Sequence, residues 1–372
     1  MQRSNKIYFI GNGRWAKILI QNLLQHKNKY EITWIFRNEK SLRSNLTRSK
    51  DYIKVKFVTW NKVYSLPQPN RVIIASHSLD HSSHYKILRT RFPFAEFLIE
   101  KPLFNEFNKF QMLSEREKKK TFFNLEFMYL YEINNMGKYI AQENIESIDI
   151  YWYDPFISYR QAKREKYSEV FTSIFHDQYL HTISILIAMN LEMRNFFLID
   201  VNKIEKNDCV KISGSLGETK INIFLSRFAN ERMRKLEINQ GLLSIDFSDR
   251  QPKGQKTFSS RGRESTVRKT FSYFLSKKQS SRKKLHCINA LNTALQLCFV
   301  TEDKFLAKYF SGQLNKFYDE EVDGYNSLNV YLNGIKYFRK MKSNKFNQSK
   351  KFIHYKVGFE AIKSLHLWSK NN

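Results

Sequence analysis

Asp177 and His181 stand four residues apart in a stretch whose apolar spacing predicts a helix. Side chains at positions i and i+4 share one face of a helix, so the two could work as an acid–base pair. Histidine titrates near neutral pH, which suits it to accept or return the proton of a hydroxyl group. The alternative is a helix-surface pair whose two members only satisfy each other.

A lysine closes another candidate element, in the tripeptide Glu100-Lys101-Pro102. The apolar run Phe97-Leu98-Ile99 before it predicts a short buried strand, so Lys101 would stand at the end of a strand. A Lys-Pro pair can also do no more than end a strand and expose a charge. The tripeptide alone does not decide between a functional lysine and a charge that only ends the strand, so the rest of the chain must be considered.

Near its start the chain has a glycine-rich turn, Gly11-Asn12-Gly13-Arg14-Trp15-Ala16. The apolar run 6–10 before it predicts a strand, and apolar residues at helical spacing follow it. Glycines allow a tight turn and close approach of a pyrophosphate, and the start of the helix supplies free N–H groups. An ordinary tight turn is the other interpretation. Together with the lysine and the acid–base pair, the turn indicates a dehydrogenase.

The end of the second predicted strand, 32–36, bears on the choice of cofactor. NAD sites usually have an acidic residue there, whereas this chain has Arg37 and Asn38, with Lys40 and Arg43 close behind. A guanidinium can bind the 2′-phosphate of NADP through two parallel hydrogen bonds. The sequence therefore favours NADP(H), with NAD as the other candidate.

Alternating strands and helices must position these residues in the first part of the chain. Helical patterns separate several of the five predicted strands, which is typical of a doubly wound parallel sheet. We therefore predict an α/β fold that begins with a Rossmann dinucleotide-binding domain over residues 1–122. The predicted strands are 6–10, 32–36, 55–58, 71–75 and 95–99.

After Lys120 the pattern changes to strands in series with short links, which predicts a mostly antiparallel sheet. A helix is predicted over about 168–191, glycines 214, 217 and 241 are predicted turns, and 249–263 is a predicted mobile loop. Helical patterns return from Thr266. The predicted domains are 123–310, for substrate and oligomer contacts, and a basic helical extension over 311–372. The predicted strands are 145–153, 196–201, 210–215, 220–227, 234–239 and 242–247.

The composition limits the classes of function. The net charge is +28 and the pI about 9.8, but the lysines and arginines are spread along the whole chain. A nucleic-acid binder is thus an alternative without a recognised motif to support it. The three cysteines, Cys209, Cys287 and Cys298, have no metal-ligand spacing, so we expect no metal site. Sparse cysteines and the lack of a long apolar run favour a cytoplasmic protein.

At this point the chain resembles the Gfo/Idh/MocA oxidoreductases, which include glucose–fructose oxidoreductase and inositol dehydrogenase. The resemblance covers about residues 5–310 and rests on the order of the glycine turn, Ala75-Ser76 with His81, Glu100-Lys101-Pro102, and Asp177 with His181. It implies a Rossmann domain followed by an α/β domain with a large open sheet, which family members often use for homodimer or homotetramer contacts.

The resemblance also implies roles. Lys101 matches the family lysine beside the nicotinamide, where its charge would stabilise a developing alkoxide. His181 matches the general acid/base, and Asp177 would orient the imidazole or hydrogen-bond a sugar hydroxyl. A family glycine is replaced by Tyr179, which we expect to crowd the substrate pocket. The expected cofactor-binding residues are Gly11, Asn12, Gly13, Arg14, Trp15, Ala16, Arg37, Asn38, Ser76, His81, Glu100 and Lys101.

Position alone suggests Tyr153, Arg160 and Gln178 as substrate-binding residues. The leading hypothesis is an NAD(P)-dependent oxidoreductase acting on a secondary hydroxyl or ketone of a sugar, in particular a nucleotide sugar or sugar phosphate. The family suggests carbohydrate metabolism or surface-polysaccharide biosynthesis. The alternative from another class is an inactive relative that binds NAD(P) as a sensor or regulator.

Overall fold

The protein divides into two compact units, the first made of Met1–Asn134 and Arg261–Leu295 and the second of Asn135–Ser260 and Gln296–Asn372. Residues 261–295, which the sequence assigned to the second domain, thus group with the first unit. The functions given to the three predicted domains stay predictions. The computed structural model describes residues 5–25, 30–37, 39, 55–103, 112–140, 144–155, 174–204, 209–229, 231–248, 253–254, 266–276 and 291–319.

The first unit is built on a six-stranded parallel sheet in the order β3-β2-β1-β4-β5-β6, which confirms the predicted Rossmann fold. Its strands are β1 Lys6–Ile10, β2 Glu31–Phe36, β3 Val55–Thr59, β4 Arg71–Ile74, β5 Glu96–Ile99 and β6 Thr121–Phe123. Its α-helices are α1 Arg14–Leu24, α2 Ser78–Arg91 and α3 Glu115–Lys120; α4 Tyr131–Ile140 crosses into the second unit. Short 3₁₀ helices lie at Trp60–Ser65 and Glu126–Tyr129.

The strands of this sheet are apolar on both faces, as expected when helices cover both sides of a parallel sheet. In β4 all four residues are buried, and in β1 Ile7 to Ile10 are buried. Helix α1 turns Leu19, Ile20 and Leu23 toward the same core. The sixth strand was missed in the sequence because three residues give no periodicity to detect.

A helix from far along the chain, α6 Thr266–Leu275, completes the core of the first unit. Its buried Val267, Phe271 and Phe274 join the cluster that contains the apolar face of α1. The buried Arg71 of β4 donates from Nη2 to the carbonyl oxygen of Leu275 at 3.2 Å. Packing and this hydrogen bond together explain why residues 261–295 group with the first unit.

The second unit contains a seven-stranded sheet in the order β13-β12-β11-β7-β10-β9-β8. Neighbouring strands are antiparallel except β7 and β10, which confirms the predicted mostly antiparallel sheet. The strands are β7 Ser147–Pro155, β8 Phe196–Ile204, β9 Cys209–Leu216, β10 Thr219–Ala229, β11 Met233–Ile238, β12 Leu243–Asp246 and β13 Lys253–Gly254. A π-helix, Phe175–Tyr179, continues into α5 Leu180–Ala188; a 3₁₀ helix, Met193–Asn195, precedes β8; and α7 Asn292–Asp319 crosses from the first unit.

Two of the three predicted glycine turns are confirmed, and one is wrong. Gly217 and Gly241 have φ values of +60° and +93°, which suits glycine at a turn. Gly214 instead lies inside β9, where the Phe196 side chain packs so close that a Cβ would lie 2.2 Å from its ring. This position therefore requires glycine because a side chain would not fit there, and not because the chain turns there.

Other predictions fall partly outside the described residues. These are the helix start at 168–173, most of the loop 249–263 (of which 253–254 form β13), Cys287, and the chain after residue 319. Cys209 and Cys298 are buried free thiols. Within the described residues, no helix combines the length and apolar content that crossing a bilayer requires.

Candidate functional site

Gly11 begins the glycine turn directly after β1, and the fold leaves no room there for a side chain. Its φ is +123°, and a Cβ would lie 2.2 Å from the carbonyl oxygen of Ala75 at the end of β4. Trp34 of β2 donates from its indole nitrogen to the Gly11 carbonyl oxygen at 2.6 Å. Neighbouring strand ends on both sides therefore fix the path of the turn.

Gly13 serves a different purpose at the start of α1. It is the N-cap of that helix, no side chain caps it, and a Cβ there would meet nothing within 4 Å. The first N–H groups of a helix have no intrahelical partner and favour an anion. Exposed Asn12 and Gly13 before this helix start thus form an open cradle that fits a dinucleotide pyrophosphate. The backbone of Arg14 belongs to it, but its side chain is outside the described residues.

Glu100 connects the cradle to the predicted catalytic lysine. Its Oε1 accepts hydrogen bonds from the indole nitrogen of Trp15, at 2.6 Å, and from the side-chain amide of Asn124. Its own backbone N–H donates to the carbonyl oxygen of Ile74 at 2.9 Å. The carboxylate thus fixes the first turn of α1 to the ends of β5 and β6. The sequence missed Asn124, whose only signal was its place after a strand that was itself missed.

Lys101 follows Glu100 at the end of β5, is partly buried, and precedes Pro102 through a cis peptide bond. His81 braces this segment. The buried imidazole places Nδ1 2.9 Å from the Pro102 carbonyl oxygen and Nε2 3.1 Å from the Ser76 carbonyl oxygen. Because the ring lies between two carbonyl oxygens, His81 connects the end of β4 to the lysine segment. This geometry favours a positioning role over the direct cofactor contact that the resemblance implied.

The candidate residues for the adenosine end lie at the same edge of the sheet. Arg37 follows β2 and is exposed, while Asn38 is outside the described residues. Ser76 follows β4, and its hydroxyl lies 2.9 Å from Nδ1 of His84 on α2. Ligands of parallel α/β sheets bind at this carboxyl edge.

In the second unit, most of the helix that carries the acid–base candidates is buried. From Ile174 to Leu186, Asp177 and His181 are the two residues that are partly exposed, and every other residue is buried. Because they are four residues apart, Asp177 and His181 lie on the same accessible edge of the helix. The helix begins with the π segment, a feature frequent at functional sites.

Two contacts to the sheet and to α7 hold that helix in place. The imidazole of His181 stacks on the Trp152 indole of β7, with ring centroids 5.2 Å apart and planes at 17°. In the π segment, the buried His176 donates from Nε2 to Oε2 of Glu302 on α7 at 2.8 Å. These contacts fix both ends of the stretch that carries Asp177.

A polar cluster lies beside the Trp152 ring. The guanidinium of Arg234 is 4.8 Å from that ring and donates to the Asp154 carboxylate at 2.9 Å. The side-chain amide of Gln178 donates to Asp154 at 3.3 Å and to the Ser226 carbonyl oxygen at 3.0 Å. Gln178 is therefore buried in a bracing role. The sequence missed Trp152, Asp154 and Arg234, although strand alternation places the first two on one face.

Of the remaining predicted substrate contacts, Tyr153 is not brought together with His181. Successive strand residues point to opposite faces, and Trp152 already points to the His181 face. The Tyr153 hydroxyl instead lies 3.7 Å from the sulfur of Cys209, and burial followed by this thiol raises the pKa of Tyr153. Arg160 is outside the described residues.

Tyr179 was expected to crowd the substrate pocket, but it is fully buried, with its ring 6.4 Å from that of Phe175. It fills the interior of the unit and leaves the accessible edge to Asp177 and His181. Lys101 belongs to the first unit, and both of those residues belong to the second.

Comparison with known proteins supports the resemblance. Residues 5–124 match the family model described as GFO_IDH_MocA, an oxidoreductase family with an NAD-binding Rossmann fold. This match covers the cradle, Glu100, Lys101 and His81, and it confirms the predicted resemblance there. No curated protein sequence matches the chain.

Solved structures extend the similarity of fold to the second unit. A myo-inositol dehydrogenase from Corynebacterium glutamicum has a TM-score of 0.58 at 15% identity, covering 80% of this chain and 96% of the other. A UDP-N-acetylglucosamine 3-dehydrogenase from Acidithiobacillus ferrooxidans has 0.55 at 14%, covering 80% and 97%. A 3-ketoreductase from Actinomadura kijaniata, in complex with TDP-benzene and NADP, has 0.57 at 10%, covering 78% and 98%. At these identities the comparison establishes a shared fold.

Proposed function

We propose that the protein is an NADP(H)-dependent oxidoreductase acting on a sugar. This proposal starts from residues 5–124, which match the family model of the Gfo/Idh/MocA oxidoreductases. The substrate is a secondary hydroxyl or the corresponding ketone. When bound, the nicotinamide supplies the hydride donor or acceptor for this reaction. The N–H groups at the start of α1, opened by Gly13, would hold the pyrophosphate.

The observation that carries this proposal is the exposure pattern of the π segment and α5. From Ile174 to Leu186, the partly exposed residues are Asp177 and His181, so this buried stretch presents an acid–base pair to a ligand. In the proposed reaction, His181 accepts the hydroxyl proton as the carbon is oxidised and returns it in the reverse direction. Stacking on Trp152 fixes the plane of the imidazole, so its nitrogen atoms keep one orientation.

Lys101 has the electrostatic role in this proposal. Its ammonium stabilises the negative charge that develops on the substrate oxygen as the proton leaves. Such a charge is useful only when it is held in place. Glu100 before it and Pro102 after it are both anchored, the first through Trp15 and the second through His81.

The substrate class we propose is a nucleotide sugar or sugar phosphate. Two of the structurally similar proteins bind nucleotide-linked molecules: one is a UDP-N-acetylglucosamine 3-dehydrogenase, and the other is a 3-ketoreductase in complex with TDP-benzene. The net charge of +28 gives the protein a field that attracts phosphorylated substrates. Such a reaction belongs to carbohydrate metabolism or polysaccharide biosynthesis in the cytoplasm, where the sparse cysteines stay reduced.

The test is turnover of NADPH or NADP⁺ with a panel of nucleotide sugars and sugar phosphates. His181→Ala and Lys101→Met should each lower kcat by about 10²-fold or more while NADPH affinity changes little. Lys62→Met, which removes an exposed lysine after β3, is the matched control and should keep full activity.

Two outcomes would contradict the proposal in different ways. Unchanged rates in both variants would remove the roles given to His181 and Lys101. Tight NADPH binding without turnover on any substrate of the panel would instead identify the protein as a cofactor-binding sensor.

A further inference from the structure

His84 is held at the carboxyl edge of the first sheet by contacts on two sides. It lies on α2, and its Nδ1 is 2.9 Å from the hydroxyl of Ser76, which follows β4. Its ring packs on the indole of Trp60, directly after β3, with centroids 4.4 Å apart. The ring is therefore fixed between the ends of two strands, at the edge where Rossmann folds bind nucleotides.

One nitrogen of this imidazole is still available for a ligand. The contact with the Ser76 hydroxyl uses Nδ1. Within the part of the chain that the structure describes, it is the one hydrogen bond of the His84 ring. When Nδ1 accepts from the serine hydroxyl, Nε2 carries the proton and becomes a donor. The sequence drew attention to Arg37 and to His81 but gave no reason to single out His84.

Arg37, at the end of β2, is exposed and acts on His84 through its charge. Burial lowers the pKa of His84 below its ordinary value; Asp80 opposes this, while His81 and Arg37 add to it. In the free protein the neutral form of His84 is therefore favoured more than in an exposed histidine. A doubly negative ligand between Arg37 and His84 would reverse the balance and favour the imidazolium.

We propose that His84 and Arg37 together recognise the adenosine 2′-phosphate of NADP(H), with Nε2 of His84 donating to a phosphate oxygen. This inference rests on the proposed NADP(H) dependence. Arg37 supplies a permanent charge and a planar pair of donors. His84 supplies a donor whose charge depends on pH.

The pH dependence follows by linkage. Binding of the 2′-phosphate raises the pKa of His84, so the complex takes up a proton that the free protein lacks. Affinity for 2′-phosphorylated ligands should therefore increase as pH falls through the pKa of His84 in the complex. Ligands without the 2′-phosphate should show no such increase. The phosphate itself takes up a proton near pH 6, so the useful window ends slightly above that value.

The experiment measures binding of 2′,5′-ADP and 5′-AMP to the full chain by calorimetry at pH 6.5 and 8.0. His84→Phe keeps an aromatic ring on Trp60 but removes both nitrogen atoms. It should weaken 2′,5′-ADP binding about 10-fold at pH 6.5, the value of one charge-assisted hydrogen bond, and leave 5′-AMP binding within about twofold. Lys86→Gln removes an exposed cation from the same helix and is the matched control, with no selective loss expected.

His84→Gln provides a second, independent test because it keeps an amide donor but cannot titrate. It should retain most of the 2′-phosphate preference and lose the dependence of that preference on pH. If both variants keep the wild-type preference and its pH dependence, the inference is overturned, even when NADPH binds. If neither 5′-AMP nor NADPH binds the wild type, the proposed function has failed instead.

Discussion

At the scale of single residues, two glycines of one motif have different physical reasons to be glycine. Gly11 has a backbone conformation that L side chains rarely adopt, and its α-carbon faces the backbone of Ala75. Gly13 has an ordinary φ of −67° and open space around it. The first glycine therefore serves the fold, whereas the second keeps space for a ligand.

This difference predicts that alanine substitutions at the two glycines affect different properties, stability at Gly11 and NADPH binding at Gly13. Gly11→Ala should lower the free energy of unfolding by at least about 2 kcal/mol, because strain at positive φ adds to a clash with backbone. Gly13→Ala should cost about 1 kcal/mol or less, as expected for alanine at an N-cap, but should weaken NADPH binding about 10-fold by intruding on the pyrophosphate. Urea unfolding and NADPH titration measure the two effects. Equal losses of stability in both variants would contradict this assignment.

Residue types and spacing made Asp177, His181 and Lys101 the catalytic candidates, because chemistry limits which side chains can serve. They could not supply the bracing contacts. The bonds of Glu100 to Trp15 and of His176 to Glu302 join positions 85 and 126 residues apart, and no local pattern records them. Tyr153 was predicted from its position alone, and in β7 it points to the face opposite that of Trp152.

At the scale of elements, the π segment Phe175–Tyr179 depends on an anchor outside its own helix. His176 is 3% exposed and Glu302 is 9% exposed, so the hydrogen bond between them is shielded from water. Removing one member of a buried pair leaves the other with a desolvated polar group. The anchor therefore contributes both to stability and to the position of Asp177, the next residue along the chain.

Glu302→Ala should lower the free energy of unfolding by about 3 kcal/mol, the usual cost of breaking a buried pair. In the folded fraction, kcat should fall more than KM changes, because the acid–base pair is displaced. Lys308→Ala on the same helix removes an exposed ion pair to Asp200 and should cost less than about 1 kcal/mol. Urea unfolding and steady-state kinetics provide the measurements. A Glu302→Ala variant as stable as Lys308→Ala would show that the anchor is not needed.

Strand and helix bounds were the part of the fold most accessible from sequence. Six of the seven strands of the second sheet begin and end within three residues of their predicted bounds, because apolar residues mark each strand and turn or loop residues bound it. The sheet order was not accessible in the same way. The parallel pairing of β7 with β10, between antiparallel neighbours, depends on contacts that span the whole unit.

At the scale of the molecule, the chain returns to its first unit after building most of the second. Arg71 and the carbonyl oxygen of Leu275 are 204 residues apart in sequence. The helical pattern after Thr266 was correctly predicted. However, the amphipathic pattern of a helix does not indicate which core the helix packs against. Only the buried side chains of α6 settle that question, and they pack in the Rossmann core.

The aromatic face of the second sheet leads to a prediction about self-association. Opposite to the face that carries Trp152, Tyr151 stacks on Phe224 with centroids 4.9 Å apart and planes at 7°, and the Lys211 ammonium lies 5.6 Å from the Phe224 ring. At the end of this sheet, Phe197 is 68% exposed. Partly exposed aromatic residues on a broad sheet are typical of protein–protein interfaces.

We therefore expect the protein to form a homodimer or homotetramer through this face, and a charge placed on it should oppose association because burying an unpaired ammonium is costly. Tyr151→Lys should shift the mass measured by size-exclusion chromatography with light scattering toward that of the monomer, and should do so more strongly at low salt. Phe94→Lys is the matched control, since Phe94 is 67% exposed but belongs to the first unit. A wild-type monomer at micromolar concentration, or equal masses in all three proteins, would show that the aromatic residues of this face have another purpose.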